Sequence, residues 1–223
     1  MNSHPFTLVG ACLHARASGA LWWAEKSLLV VSDLHLGKSE RIARRSGAML
    51  PPYETGDTLA RLDAEISATQ ARHVICLGDS FDDRLAADHL PDELALWLTR
   101  LMAGRRWVWI EGNHDPGPVA LAGTHLAELQ IAPLNFRHIA RTSASGEVSG
   151  HYHPKAQITL RGRSISRPCF LYDSDRVIMP AFGTYTGGLR CTSPALTNIM
   201  RPETLAILTG PVPQAIPMPG RAT

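Results

Sequence analysis

Apolar residues in this chain fall first into short unbroken runs separated by stretches of helical spacing. Leu28 to Val31 is four apolar residues in a row, the pattern of a strand covered on both faces, and it stops at Ser32-Asp33. His73 to Leu77 and Trp107 to Ile110 repeat the pattern. The first ends in Gly78-Asp79-Ser80-Phe81-Asp82-Asp83, the second in Glu111-Gly112-Asn113-His114-Asp115-Pro116. Between the runs, Leu59, Leu62 and Ile66 recur at helical spacing from Glu54 to about Ala68, after a basic segment closed by Pro51-Pro52. Leu94, Leu98 and Leu101 do the same from Asp92 to Met102, with Gly104 as a stop. Strand, helix, strand, helix, strand predicts a parallel sheet, and ligands of such sheets gather at the carboxyl edge.

The flanking segments read differently. Phe6 to Val9 and Ala20 to Ala24 predict two short strands around a Ser18-Gly19 turn, with Trp22 and Trp23 facing opposite ways. After Met102 no long helix is expected. Glu128 to Ile131, Leu134 to Arg137, Gln157 to Leu160, Pro168 to Tyr172, Arg176 to Met179 and Leu205 to Leu208 are strand-like, with turns at Gly162-Arg163 and Asp173-Ser174-Asp175. They predict a second, mainly antiparallel sheet packed on the first. The expected fold is α/β, a two-sheet β-sandwich flanked by helices, in one domain over residues 1–210. The Pro- and Gly-rich tail, 211–223, is expected to be loose.

Composition narrows the function classes. With 44% hydrophobic and 19% charged residues among 223, the chain can bury a proper core and does not read as disordered. A net charge of +2 neither demands nor excludes nucleic acid. The basic charge is nearly all Arg, which suits phosphate contact. Cys12, Cys76, Cys169 and Cys191 have no paired spacing and read as free thiols in a reducing cytosol. Met1 to Ala11 lacks a signal-peptide pattern, and no apolar run approaches the ~20 residues that span a membrane. The expectation is a soluble cytoplasmic protein.

Five polar blocks carry the candidate chemistry: Asp33-x-His35; Gly78-Asp79-x-x-Asp82; Gly112-Asn113-His114-Asp115; His138 at the end of a strand-like run; and Gly150-His151-Tyr152-His153. On an extended backbone Asp33 and His35 project to one side, as do His151 and His153. Gly37 allows a sharp turn after the first block. Any one block is explicable as a turn. Five blocks holding half of the ten histidines are hard to explain that way.

In this order the blocks resemble the calcineurin-type metallophosphoesterase superfamily, from about Leu28 to Phe182. That resemblance implies a dinuclear centre at the strand edge of a two-sheet sandwich. Asp33, His35 and His153 would bind one divalent ion and Asn113, His138 and His151 the other, with Asp79 between them. His114 would lie beside the ions without binding them, and Asp115 would orient it. Asp82 would support a ligand. Two such ions can lower the pKa of a shared water, and His114 is the residue expected to serve the leaving oxygen. Mixed oxygen and nitrogen ligands suit Mn²⁺, Fe²⁺ or Zn²⁺ better than Ca²⁺.

Gly78-Asp-Ser-Phe81, Pro154 and Pro180 to Gly188 are also similar to the PdeM-type ligase-associated DNA-damage-response endonucleases. Asp82 stands where a histidine is expected in them, and Ile139-Ala140 where a proline is expected. This likeness implies a DNA nuclease in repair, with a DNA ligase or helicase as partner. A small-molecule phosphoesterase and a non-catalytic scaffold are the alternatives. Lys38, Arg41, Arg44 and Arg45 could grip flanking phosphates or form a solvated helix face. Phe182 and Tyr185 could stack on a base or pack in the core.

Overall fold

The computed structural model describes residues 2–47, 51, 53–117, 121–160 and 162–220. Pro52 of the expected Pro-Pro stop and the last three residues of the tail lie outside them. The first sheet follows the chain from one edge to the other: β1 (Ser3–Leu8), β2 (Ala11–Arg16), β3 (Leu21–Trp23), β4 (Leu28–Val31), β5 (His73–Leu77), β6 (Arg106–Ile110) and β7 (Thr124–Leu126). β1 to β4 pair antiparallel, and β4 to β7 pair parallel. The crossovers carry α1 (Lys38–Ser46), α2 (Glu54–Thr69), α3 (Arg84–Asp88) and α4 (Asp92–Met102).

The second sheet is built from β8 (Glu128–Ile131), β9 (Leu134–Arg137), β10 (Glu147–Ser149), β11 (Lys155–Leu160), β12 (Arg163–Tyr172), β13 (Arg176–Ile178), β14 (Leu205–Leu208) and β15 (Gln214–Pro217). Its order is β15-β14-β12-β13-β10-β9-β8, with β11 pairing β12. It is mixed rather than mainly antiparallel at its centre, because β10 runs parallel to both β9 and β13. One short helix, α5 (Pro194–Thr197), lies between β13 and β14 in the chain.

The unbroken apolar runs are explained by cover on both faces. Leu28, Val30, Ile75, Leu77, Val108 and Ile110 face the second sheet and meet Phe136, Val148, Phe170 and Ile207. Leu29, Val31, Val74 and Cys76 face outward beneath Leu59, Leu62, Ile66, Leu98 and Leu101 of α2 and α4. Each such side chain contributes about 1.5–3 kcal/mol by leaving water. The second sheet hides its outer face under Leu196, Met200 and Met218. Trp23 sits between the sheets and Trp22 leans on the helix side, as the adjacent pair requires.

Three expectations are corrected. The first two strands of the chain are β1 and β2, joined at Val9-Gly10, and the Ser18-Gly19 turn leads from β2 into β3. β2 alternates buried Ala11, Leu13 and Ala15 with more exposed Cys12, His14 and Arg16, so small residues mute its period-two signal. β7 and β10 are three-residue strands too short to carry a pattern. The tail is not loose at 214–218: β15 pairs with β14, and Met218 is buried.

Candidate metal centre

The parallel register of β4, β5 and β6 brings Asp33, Asp79 and Asn113 to one edge, since Val31 lies opposite Cys76 and Leu77 opposite Ile110. Beyond the strands the first two loops stay zipped together. Asp33 N–H donates to the Gly78 carbonyl at 3.2 Å, His35 N–H to Asp79 at 2.9 Å and Leu36 N–H to Ser80 at 3.0 Å. The second sheet supplies His138 just after β9, and His151 and His153 after β10.

The ligand-type residues do not converge by strand alternation. Asp33 (φ 53°), His35 (φ 47°), Asp79 (φ 47°), His151 (φ 70°) and His153 (φ 46°) all adopt left-handed backbone. They are five of the nine non-glycine residues with positive φ among those described, so backbone strain is concentrated where these side chains are aimed. Two glycines permit the crowding. A Cβ on Gly78 would lie 2.5 Å from the His138 ring, and one on Gly150 would lie 1.8 Å from Ser32 Oγ.

Three donor groups result: one is His35, Asp82 and His114, and the other two hold residues expected as ligands. Asp33, His35 and His153 each offer an atom within 4.8 Å of the others, and so do Asp79, His138 and His151. His153 Nε2 is 3.1 Å from Asp33 Oδ1, and His138 Nε2 is 3.3 Å from Asp79 Oδ2. Asn113 Oδ1 lies 3.0 Å from His138 Nε2, which lies 3.2 Å from His151 Nδ1. All seven residues expected as ligands, His138 included, are therefore gathered in one place.

These donors fit divalent ions. His35 Nε2 is buried without a hydrogen-bond partner, and His153 Nε2, also buried, meets only the Asp33 carboxylate at 3.1 Å. His35 Nδ1 is fixed on Asp82 Oδ1 at 2.7 Å and His138 Nδ1 on the Leu77 carbonyl at 2.8 Å, leaving the other ring nitrogen of each to face the centre. Burial opposes ionisation of Asp33 and Asp79. Bonds and charges from His153 and Ser32 on the first, and from His138 and His114 on the second, outweigh it and hold both carboxyls below the usual range. Burial pulls His138 down, but Asp79 and Asp33 raise its pKa overall; burial and the His138 charge lower that of His151. Buried carboxylates among imidazoles are a donor set that a cation would neutralise.

Asp115 corrects an expectation. Its Oδ1 accepts from the amides of Asp79 (3.0 Å) and Gly112 (3.1 Å), and its Oδ2 from Ser80 (2.8 Å) and Phe81 (3.1 Å). It ties the ends of β5 and β6 together and does not touch the His114 ring. Burial pushes its pKa up to about 6, against the pull of the Phe81 and Ser80 amides. The His114 ring is fixed instead by the Asp82 main-chain carbonyl, 2.9 Å from Nδ1, while its own amide donates to Asp79 Oδ1 at 2.8 Å.

Asp82 is fully buried and binds in three directions: His35, Arg41 Nε, and Lys38 Nζ at 3.6 Å. Burial opposes its charge, yet the His35 and Arg41 bonds and the Lys38 charge hold its pKa at about 2. Lys38 and Arg41 thus stand at the edge of the centre. Arg44 is spent on Asp83 at 3.0 Å, and Arg45 is exposed near the end of α1. Phe182 is core, fully buried under the Arg61 guanidinium, whereas Tyr185 is 40% exposed. Sequence reasoning missed Ser32, whose hydroxyl donates to Asp33. It also missed an open groove of about 660 Å³ beside Asn113 and His138, lined further by Glu128, Ile139 and Arg141. No motif marks those positions; only the pairing of β8 with β9 assembles them.

Among curated protein sequences none matches this chain. The solved structures similar to it include the crystal structure of Pseudomonas putida nuclease MPE, with a TM-score of 0.75 and 28% sequence identity, over 96% of this chain and 100% of that one. The sequence profile of the calcineurin-like phosphoesterases matches residues 26–167, a span that holds both ligand sets and His114. Fold, gathered donors and profile agree: the chain belongs to the calcineurin-like phosphoesterase family and is a metal-dependent phosphoric ester hydrolase.

Proposed function

We propose that this hydrolase is a phosphodiesterase acting on DNA, with manganese as its working ion. The observation that carries the reading is the groove beside Asn113 and His138. It is open to solvent, as an extended polymer requires, and Arg137 and Arg141 share its wall with Glu128, which pairs with them at 3.0 and 3.1 Å. On the other side of the centre Lys38 and Arg41 offer positive charge to neighbouring phosphates. The nuclease among its structural neighbours supports the same substrate class.

In this reading Asp33, His35 and His153 would hold one ion, Asn113, His138 and His151 the second, and Asp79 would serve both. Bound divalent ions would supply an acidified water and draw charge from the phosphoryl oxygens. His114 supplies the proton chemistry. A carbonyl can only accept, so His114 Nδ1 carries the hydrogen that meets Asp82, and Nε2 is the atom free to hold or release a proton at the leaving oxygen. In the cell we place the enzyme in the cytoplasm, working with a DNA ligase or helicase in repair; the buried free thiols Cys76, Cys169 and Cys191 fit a reducing compartment.

The test is a hydrolysis panel with Mn²⁺: DNA, bis-p-nitrophenyl phosphate, a phosphomonoester and a 2′,3′-cyclic nucleotide, each with the native chain and with His114→Ala. DNA cleavage that falls about 10²–10⁴-fold in the variant, with bound metal unchanged, is the expected result. Turnover of the cyclic nucleotide but not of DNA would overturn the substrate assignment.

A further inference from the structure

The sandwich has a second opening at the end opposite the metal centre. There the first residues of β4, β5 and β6 lie side by side, Leu28 opposite His73 and His73 opposite Arg106. Ile75 and Val108 follow two residues along the same strands, so His73 and Arg106 share their inner face. Across the gap stand Leu129 and Ile131, half-buried on β8. Between the sheets at this end is a cavity of about 240 Å³, walled by these apolar side chains and rimmed by Lys26, His73 and Arg106.

Wetness and charge change together along the cavity. Ile75 and Val108 are buried at its floor, His73 is half-buried, and Lys26 and Arg106 are exposed at its mouth. No acid lines it. Among the described residues none of the three basic side chains makes an ion pair; Lys26 lies only over the Trp23 ring, 5.7 Å from its centroid. An apolar floor under an unbalanced cationic rim is complementary to a molecule with one oily part and one negative end.

We infer that this cavity binds a small amphipathic carboxylate, its chain or ring between Ile75, Val108 and Leu129 and its carboxylate against Lys26, His73 and Arg106. The size agrees, since apolar cavities of about 150 Å³ take benzene and this one is larger. Arginine suits the carboxylate because its planar fork matches the two oxygens. Neither Asp33 nor any other residue of the metal centre takes part, so the site stands or falls independently of the substrate assigned above.

Isothermal titration of the full chain with octanoate, and with octanol as the neutral counterpart, tests it. One saturable octanoate site is expected, with octanol weaker. The double substitution Lys26→Gln and Arg106→Gln, both at exposed positions, is expected to weaken octanoate about tenfold or more while leaving octanol unchanged. Leu129→Trp, which fills the mouth, is expected to remove both. Mn²⁺-dependent hydrolysis should survive in every variant, confirming that they fold. Absence of saturable octanoate binding, or binding indifferent to both sets of substitutions, would refute the assignment. Binding of a short oligonucleotide that is lost in the double variant, with no octanoate binding, would make this end a polyanion surface and refute it equally.

Discussion

The Nδ1 atom of His35 lies 2.7 Å from Oδ1 of Asp82, and through that bond the first ligand block is coupled to α1, because Arg41 and Lys38 hold the same carboxylate. Asp82→Ala should therefore loosen His35 and strand two cations at the rim. Mn²⁺ affinity should drop about 10–100-fold, the range seen when a partner behind a ligating histidine is lost. Calorimetric titration of the metal-free chain checks this; unchanged affinity would mean that His35 is held by packing alone.

Asp115→Asn separates the structural role from the catalytic one. The amide group replaces an acceptor with a donor facing two main-chain N–H groups, among four now satisfied by the carboxylate. A loss of about 1–3 kcal/mol in stability is expected for such a mismatch. The pH profile of the surviving activity should keep its shape, because His114 is fixed by the Asp82 carbonyl. Chemical denaturation gives the first number, and kcat against pH the second. A displaced profile would restore Asp115 as the orienting group.

Acid should destabilise the metal-free chain by a route that can be assigned. Asp82 has a folded pKa near 2, below its ordinary value of 3.8, and Asp33 and Asp79 are shifted the same way. A depressed carboxyl contributes stability that is fully present above the unfolded value and is lost as pH falls through the folded one. Thermal melts should accordingly fall off below about pH 4. Asp82→Asn should flatten part of that descent. An equally steep descent in the variant would place the linkage elsewhere.

Gly78→Ala tests the close approach. Gly78 has φ 75°, and the new methyl would meet the His138 ring at 2.5 Å. His138 must then move from Asp79 and Asn113. One of two bound metal equivalents should be lost while the circular dichroism of the fold persists. Elemental analysis after dialysis reads this directly, and two retained equivalents would show that the ring has room to yield.

The core strands and the helices between them were readable because burial on both faces writes continuous apolar runs and period-3.6 spacing into the chain. The residues of the centre were readable by chemical type, since Asp, Asn and His clustered after strands have few other uses. Their geometry was not. Adjacent residue types cannot announce that Asp33 and His35 turn left-handed instead of extending. Asp115 was misassigned because nearness in sequence to His114 suggested a contact, while four main-chain amides from two segments compete for the same carboxylate. The groove by Ile139 and Arg141 is created by strand pairing, and β15 by the need to cover an edge; neither is local information.

The left-handed bends have a further implication for engineering this chain. Glycine would relax each of them, so at Asp33, Asp79 or His151 the residue that most favours the local backbone is the one that removes a metal-binding side chain. Selection for heat resistance alone, without a screen for turnover, would drift toward sturdier proteins that no longer hold their ions.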